Sequence, residues 1–322
     1  MDPNVAMDHT TNAPEAALRD ALERSDAALW AAGPVLAHLL SVPDRSLLTD
    51  EIVASVRGML DHLAEQLLQA SLAANPSEEN VGFVPGYREN LTEVLQRMPE
   101  LLGHCHALAV EWVVARRLES ERGIDPVLSP ILKKAAAMDD PVCARTAMGL
   151  ISAQARYVQA QRRMELPLAE LPGDLLHSVL IAWRRFGADA RWGSTEAADA
   201  SIRGAYDESA TRLALSARLV SMMGENVAEL LSIEESGAAV FFTALGRMSG
   251  QSRHLCVFAS HDRRATRMIL SLRAAGMGVR DAERVALQVQ PGISQLTDLA
   301  GIGPEDARTL LDDASFKLGA AR

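Results

Sequence analysis

The sequence predicts an all-α protein, and three observations carry that reading. Ala and Leu dominate while aromatic residues supply only 4% of the chain, which favours helices packed through small aliphatic side chains. No run alternates Val, Ile, Thr or Tyr with the period of two that a half-buried strand requires. Segment after segment places apolar residues three or four apart between short connections containing Pro or Gly. The expected architecture is a multi-helix bundle or irregular helical array with a smaller C-terminal helical unit.

Residues 1–13 are polar and read as a flexible tail. Pro14 suits a first helical turn, and Leu18, Leu22 and Leu29 then form one stripe up to the Gly33-Pro34 break. A short helix is expected to about Leu40, closed by "SVPDRS". "LLTDEIVASVRGMLDHLAEQLLQASLAA" is a long, strongly periodic helix. "NPSEENVGFVPGYREN", residues 75–90, holds two prolines and two glycines and reads as the clearest internal loop. A helix follows to about Met98. Pro99 then opens "ELLGHCHALAVEWVVARRLESERG", apolar on nearly all sides and so expected at the centre. "GIDPVLSP" is a turn. "DDPVCARTAMGLISAQARYVQAQRRMELP" reads as a turn and a long helix, with Asp139 or Asp140 suited to its N-terminus. Further helices are expected near 172–186, 195–222, 225–234 and 237–247, and several shorter ones from about 250.

The 322 residues are long enough for two domains or one extended array. Charge divides them. Residues 1–235 carry 21 Lys and Arg against 34 Asp and Glu, and residues 236–322 carry 11 against 8. The expected domains are therefore an acidic helical one over 14–235 and a mildly basic one over 236–322. A total net charge of −10 argues against a general polyanion binder. The N-terminal stretch is polar and acidic, unlike a secretory signal, and no apolar run of about 18 residues suggests a membrane span. A cytoplasmic location without membrane insertion is expected. Cys105, Cys143 and Cys256 are odd in number and widely spaced, so no disulfide framework is indicated.

Candidate chemistry is sparse. "GHCHAL" sets His104, Cys105 and His106 side by side, but adjacent helical residues diverge by about 100°, whereas ligands on one face sit three or four apart. Cys105 is read as core. "RHLCVFASHDRR" offers His254, Cys256 and His261 at no zinc-binding spacing, and is read as a buried thiol beside surface histidines. His261-Asp262 lacks a visible nucleophile. No GxSxG, Walker loop or dinucleotide fingerprint is present. The acid pairs Asp139-Asp140, Glu234-Glu235 and Asp312-Asp313 read as helix-end residues, and Arg162-Arg163 as part of a solvated face. No catalytic residue, metal set or cofactor is expected.

Three stretches resemble known families. "DDPVCARTAMGLISA" resembles the second helix of a HEAT repeat, yet no period near 40 recurs along the chain. "RGIDPVLSPIL" and "QARYVQAQRRMELPLAELP" make residues of about 100–290 similar to an all-helical bacterial family without an assigned activity, which implies no catalytic residues. "LAGIGPEDARTLL", residues 299–311, resembles a helix-hairpin-helix motif. Leu296 and Leu299 fall on its first helix, Gly301, Ile302 and Gly303 in its turn, and Ala307, Leu310 and Leu311 on its second. "AAGMGVRDAERVAL" repeats the pattern 25 residues earlier, with Gly276, Gly278, Asp281 and Ala282 matching Gly301, Gly303, Asp306 and Ala307. The resemblance implies a tandem unit over 268–318 whose turn amides can grip a phosphate.

Residues 247–284 add Arg247, Arg253, Arg263, Arg264, Arg267, Arg273, Arg280 and Arg284 against three acids. The candidate nucleic-acid contacts are thus Arg263, Arg264, Arg267, Arg273, Gly276, Gly278, Arg280, Arg284, Gly301 and Gly303. Glu305 and Asp306, which would repel a phosphate, weigh against the second turn. The leading expectation is a non-enzymatic helical interaction or regulatory protein with a protein partner. Nucleic-acid binding through the tandem hairpins is the alternative.

Overall fold

The computed structural model describes residues 18, 19, 22, 49–74, 84–189, 195–223, 226–260, 265–291 and 302–320. Among them every regular element is helical: α1 (Asp50–Ala74), α2 (Val84–Gln96), α3 (Pro99–Arg122), α4 (Pro130–Ala136), α5 (Pro141–Arg162), α6 (Gly173–Asp189), α7 (Glu196–Ala205), α8 (Arg212–Met222), α9 (Val227–Leu230), α10 (Ile233–Ser249), α11 (Arg253–Ala259), α12 (Thr266–Ala274), α13 (Val279–Val289) and α14 (Pro304–Ala320). No described helix is long and apolar enough to cross a membrane. The expected tail 1–13, Leu29 and the helix to Leu40 lie outside the described residues. Leu18 and Leu22 are described and buried.

The chain divides into two compact units, Gly33–Ala244 and Leu245–Arg322 together with Met1–Ala32. The division falls within α10, nine residues beyond the change in charge that marked residue 235.

In the larger unit α3 is central. Buried residues run around its whole circumference from Leu101 to Leu118, and α1, α2 and α5 pack on it. Its ends are set locally. Pro99 occupies the first turn, and Gly123 adopts a left-handed φ of 67° with its N–H on Glu119 O. Asp140 caps α5, accepting from Val142 N–H at 2.9 Å. The buried stripe Cys143, Ala147, Leu150, Gln154, Tyr157 and Gln161 then keeps helical spacing.

Three boundaries differ from the sequence reading, one of them the helix expected over 225–234, which ends as α9 at Leu230 before α10 starts at Ile233. α2 begins at Val84, inside the segment read as a loop, because Pro85 fits a first helical turn. The single helix expected over 195–222 is two. Asp207 accepts from Ser209 N–H at 2.9 Å and Thr211 caps α8 through Ala214 N–H, so side chains that compete with helical bonding separate α7 from α8.

A segment after α5 lies along one face of α1. Gly58, His62 and Gln66, spaced by four, meet it in turn. Leu166 N–H donates to His62 Nδ1 at 3.1 Å, Gln66 Nε2 donates to Leu166 O at 2.9 Å, and Leu168 N–H donates to Gln66 Oε1 at 3.0 Å. An extended backbone would otherwise bury unpaired donors and acceptors. Gly58 leaves room for Met164, whose backbone is left-handed with φ of 58°.

In the smaller unit α12 takes the central place. α11, α13 and α14 pack on it, and its residues from Thr266 to Leu272 are all buried.

Candidate functional site

The arginines and glycines singled out from the sequence divide by environment. Arg263, Arg264 and Gly301 lie outside the described residues. Arg267 is fully buried, and its Nη1 donates to Gln251 Oε1. α12 is enclosed on all sides, so any residue of its middle turns is interior whatever its charge. Arg273, at the end of α12, is half-buried and also serves the fold. Its Nε donates to Ile302 O at 3.2 Å, Nη2 donates to the same oxygen, and Nη1 donates to Met277 O. One guanidinium thus braces the two glycine-containing turns against each other, matching its planar fork to two carbonyls.

Gly276 has φ of 94° between α12 and α13, a conformation that favours glycine, and Gly278 precedes α13. Arg280 and Arg284 are exposed on α13, and Arg284 Nη2 pairs with Asp281 Oδ1 at 2.7 Å. In the second turn Gly303 N–H donates to Asp306 Oδ2 at 3.2 Å. That amide already serves a carboxylate three residues on, as in a capping box. Pro304 opens α14, Ala307, Leu310 and Leu311 are buried, and Ile302 is half-buried. Leu296 and Leu299 fall outside the described residues.

The larger unit holds an elaborate polar cluster among the described residues, which no motif in the sequence announces. Arg212 of α8 donates to both carboxylate oxygens of Glu111 on α3, at 2.6 and 2.9 Å. Both side chains are almost wholly buried. Arg212 also donates to Gln154 Oε1 at 3.3 Å, and its guanidinium carbon lies 3.8 Å from the centre of the Tyr157 ring. Tyr157 Oη donates to Leu108 O at 2.8 Å. Burial draws the Arg212 pKa down, but Glu111's charge and hydrogen bonds outweigh it, and the value ends raised. The adjoining hollow of about 20 Å³ has room for one water. A matched, enclosed ion pair of this kind pins three helices together and offers no reactive proton.

The thiols are equally quiet. Cys105, Cys143 and Cys256 are buried and free, and burial pushes Cys105 and Cys256 up to about 12. His104 and His106 are buried beside Cys105, and His254 is half-buried. His261 and Asp262 lie outside the described residues. Among the described residues no three His, Cys, Asp or Glu gather as a metal site.

Large apolar side chains do reach the surface, mostly in one region. Met138, Val142, Met148, Met222 and Val227 belong to the connected elements α4–α5 and α8–α9, and Met148 and Val142 are 56% and 49% exposed. α8 packs antiparallel on α5: Arg212 meets Gln154, and Leu215 lies 3.6 Å from the Cβ position of Gly149. Met222, two turns later, is therefore directed towards the Val142 end of α5. Lys134 donates to both Glu229 oxygens at 2.7 and 2.8 Å, which ties α4, just before Met138, to α9, just after Val227. The five exposed side chains thus belong to elements packed on one another, with Asp139, Asp140 and Arg145 beside them in the chain. Sequence reasoning missed them, although Met148 falls outside the buried stripe of α5 and was a legible signal.

The described residues thus define an all-α protein in which Arg212, Arg267 and Arg273 are engaged within the fold and several large apolar side chains are exposed. No family model matches the chain, and neither a curated protein nor a solved structure matches it. The likenesses drawn over 100–290 and 268–318 therefore rest on the residues quoted for them.

Proposed function

We propose that this chain is a non-enzymatic docking protein that receives an apolar helical segment of a protein partner on the corner formed by α4, α5, α8 and α9. The observation that supports this is the gathering of Met138, Val142, Met148, Met222 and Val227 at the surface. Exposed apolar residues scattered singly are ordinary, but several on elements packed against one another favour a recognition surface. Methionine suits that role because its unbranched, polarisable side chain adapts to a partner's shape. A partner helix would engage this surface through apolar side chains spaced three and four apart.

The test places a photo-crosslinking residue at position 148 of the full chain in its host cell, with a second probe at the exposed Arg97 as control. One specific adduct is expected from position 148 and not from 97. The double variant Met148→Lys, Met222→Lys should keep its helical circular dichroism and melting temperature, while partner recovery falls at least about tenfold. Equal recovery by the folded double variant overturns the assignment.

A further inference from the structure

We propose that a polar trough between α1, α3 and the end of α5 binds a small zwitterion, an amino acid or short peptide with free amine and carboxylate. The trough has a volume of about 300 Å³ and is lined by Glu51, Trp112, Arg116, Glu119, Arg162 and Met164, among others. It adjoins a second hollow of about 430 Å³ that shares Glu51, Arg116 and Glu119. Together they leave room for one or two residues of peptide.

The charges in the trough are of two kinds. Arg116 Nη1 pairs with Glu51 Oε1, so these two largely neutralise each other. Glu119 and Arg162 are exposed and meet no partner among the described residues. A ligand entering the trough therefore finds a carboxylate and a guanidinium that meet no partner among the described residues, beside the paired Arg116 and Glu51, with Arg117 on the wall of the adjoining hollow. An anion alone would satisfy Arg162 and be repelled by Glu119, and a cation alone would meet the reverse. A zwitterion satisfies both, its carboxylate taking the paired N–H donors of Arg162 and its ammonium donating to Glu119.

The apolar part of the site is held in place before any ligand arrives. Trp112 is 4% exposed and packs edge-on against Tyr157, with ring centres 6.5 Å apart, so it presents a fixed edge. Met164 projects from the segment clamped on α1, and its left-handed backbone lies close against Gly58. Fixed walls spare a ligand the loss of side-chain freedom on binding.

Isothermal titration of the full chain tests this with four probes: L-phenylalanine, L-alanyl-L-phenylalanine, N-acetyl-L-phenylalanine without the ammonium, and L-phenylalaninamide without the carboxylate. At least one of the two zwitterions should bind saturably, and each blocked form should bind it at least about tenfold more weakly. Arg162→Ala should abolish discrimination against the amide, and Glu119→Gln discrimination against the acetylated form. Both positions are exposed, so both variants should fold. No saturable binding of either zwitterion at 10 mM (roughly the weakest useful affinity), or equal binding of a blocked form, overturns the proposal.

Discussion

Arg212 and Glu111 show how much stability can hang on one pair of side chains. Each charge was removed from water at a penalty of several kcal/mol, offset by the other's two hydrogen bonds and, for Arg212, by Gln154 and Tyr157. Glu111→Ala should therefore cost about 3–5 kcal/mol in denaturant unfolding, because it strands a buried guanidinium. The double variant Glu111→Met, Arg212→Leu should recover most of that loss, since an apolar pair of similar size carries no such penalty. A single variant that loses under about 1 kcal/mol would refute this account of the pair. Cys105 and Cys256 make a prediction of the opposite kind. Their thiol pKa values rise from the ordinary 9.0 to about 12 on folding, so the native state holds these protons more tightly than the unfolded chain. That contribution is fully present below pH 9 and drains away as pH climbs towards 12. Urea midpoints should fall between pH 9 and 11, and a variant with Cys105→Ala and Cys256→Ala should show a shallower fall. Alkylation of either thiol in the native state at pH 8 would contradict the burial on which the argument stands.

At the scale of elements, long helices were legible and their interruptions were not. α1, α3 and α5 repeat apolar residues over several turns, and no local signal competes with that pattern. The break between α7 and α8 depends on Asp207 and Thr211 turning their side chains onto nearby amides, a choice that the same residues decline elsewhere. Pro85 read as a loop signal, yet a first turn tolerates it. The clamp on α1 was invisible for a different reason: Gly58, His62 and Gln66 share a face, but only the fold reveals that a backbone about 100 residues later lies along it. Gly58 offers a test with opposed expectations. Helix propensity alone makes Gly→Ala stabilising by about 1 kcal/mol. Here an added Cβ would stand 2.6 Å from Met164 Cβ and 2.7 Å from its carbonyl oxygen. Gly58→Ala should instead destabilise by about 1–3 kcal/mol, read as a lower melting temperature. A gain in stability would mean that the segment after α5 does not lie against α1 as described. Gly276→Val, at φ of 94° with open space around it, probes the other case. Its cost of about 1–3 kcal/mol should come from backbone strain alone, so Gly276→Asn should recover part of it.

For the whole molecule, composition spoke to fold class and stayed silent on what the surfaces do. The arginines of residues 247–284 look alike in sequence, but position in the fold gives each a different fate. Arg267 belongs to an enclosed helix, Arg273 spans two turns, and Arg284 faces Asp281. A charge count cannot distinguish these, because burial depends on which helix is surrounded. The same limit hid the exposed apolar residues, which come from two separate stretches, 138–148 and 222–227. Binding to DNA separates the two functional readings. A molecule of net charge −10, with Arg267 buried and Arg273 bonded to turn carbonyls, should bind duplex DNA weakly, by a few scattered contacts. In an anisotropy titration of the full chain, the plot of log affinity against log salt should have a slope no steeper than about −2, corresponding to roughly two neutralised phosphates. Arg280→Glu should change it little, since one exposed arginine contributes about one unit of slope at most. A slope of about −5 or steeper, markedly reduced by Arg280→Glu, would require a built phosphate-binding face and would transfer the weight of interpretation from the apolar corner to the hairpins.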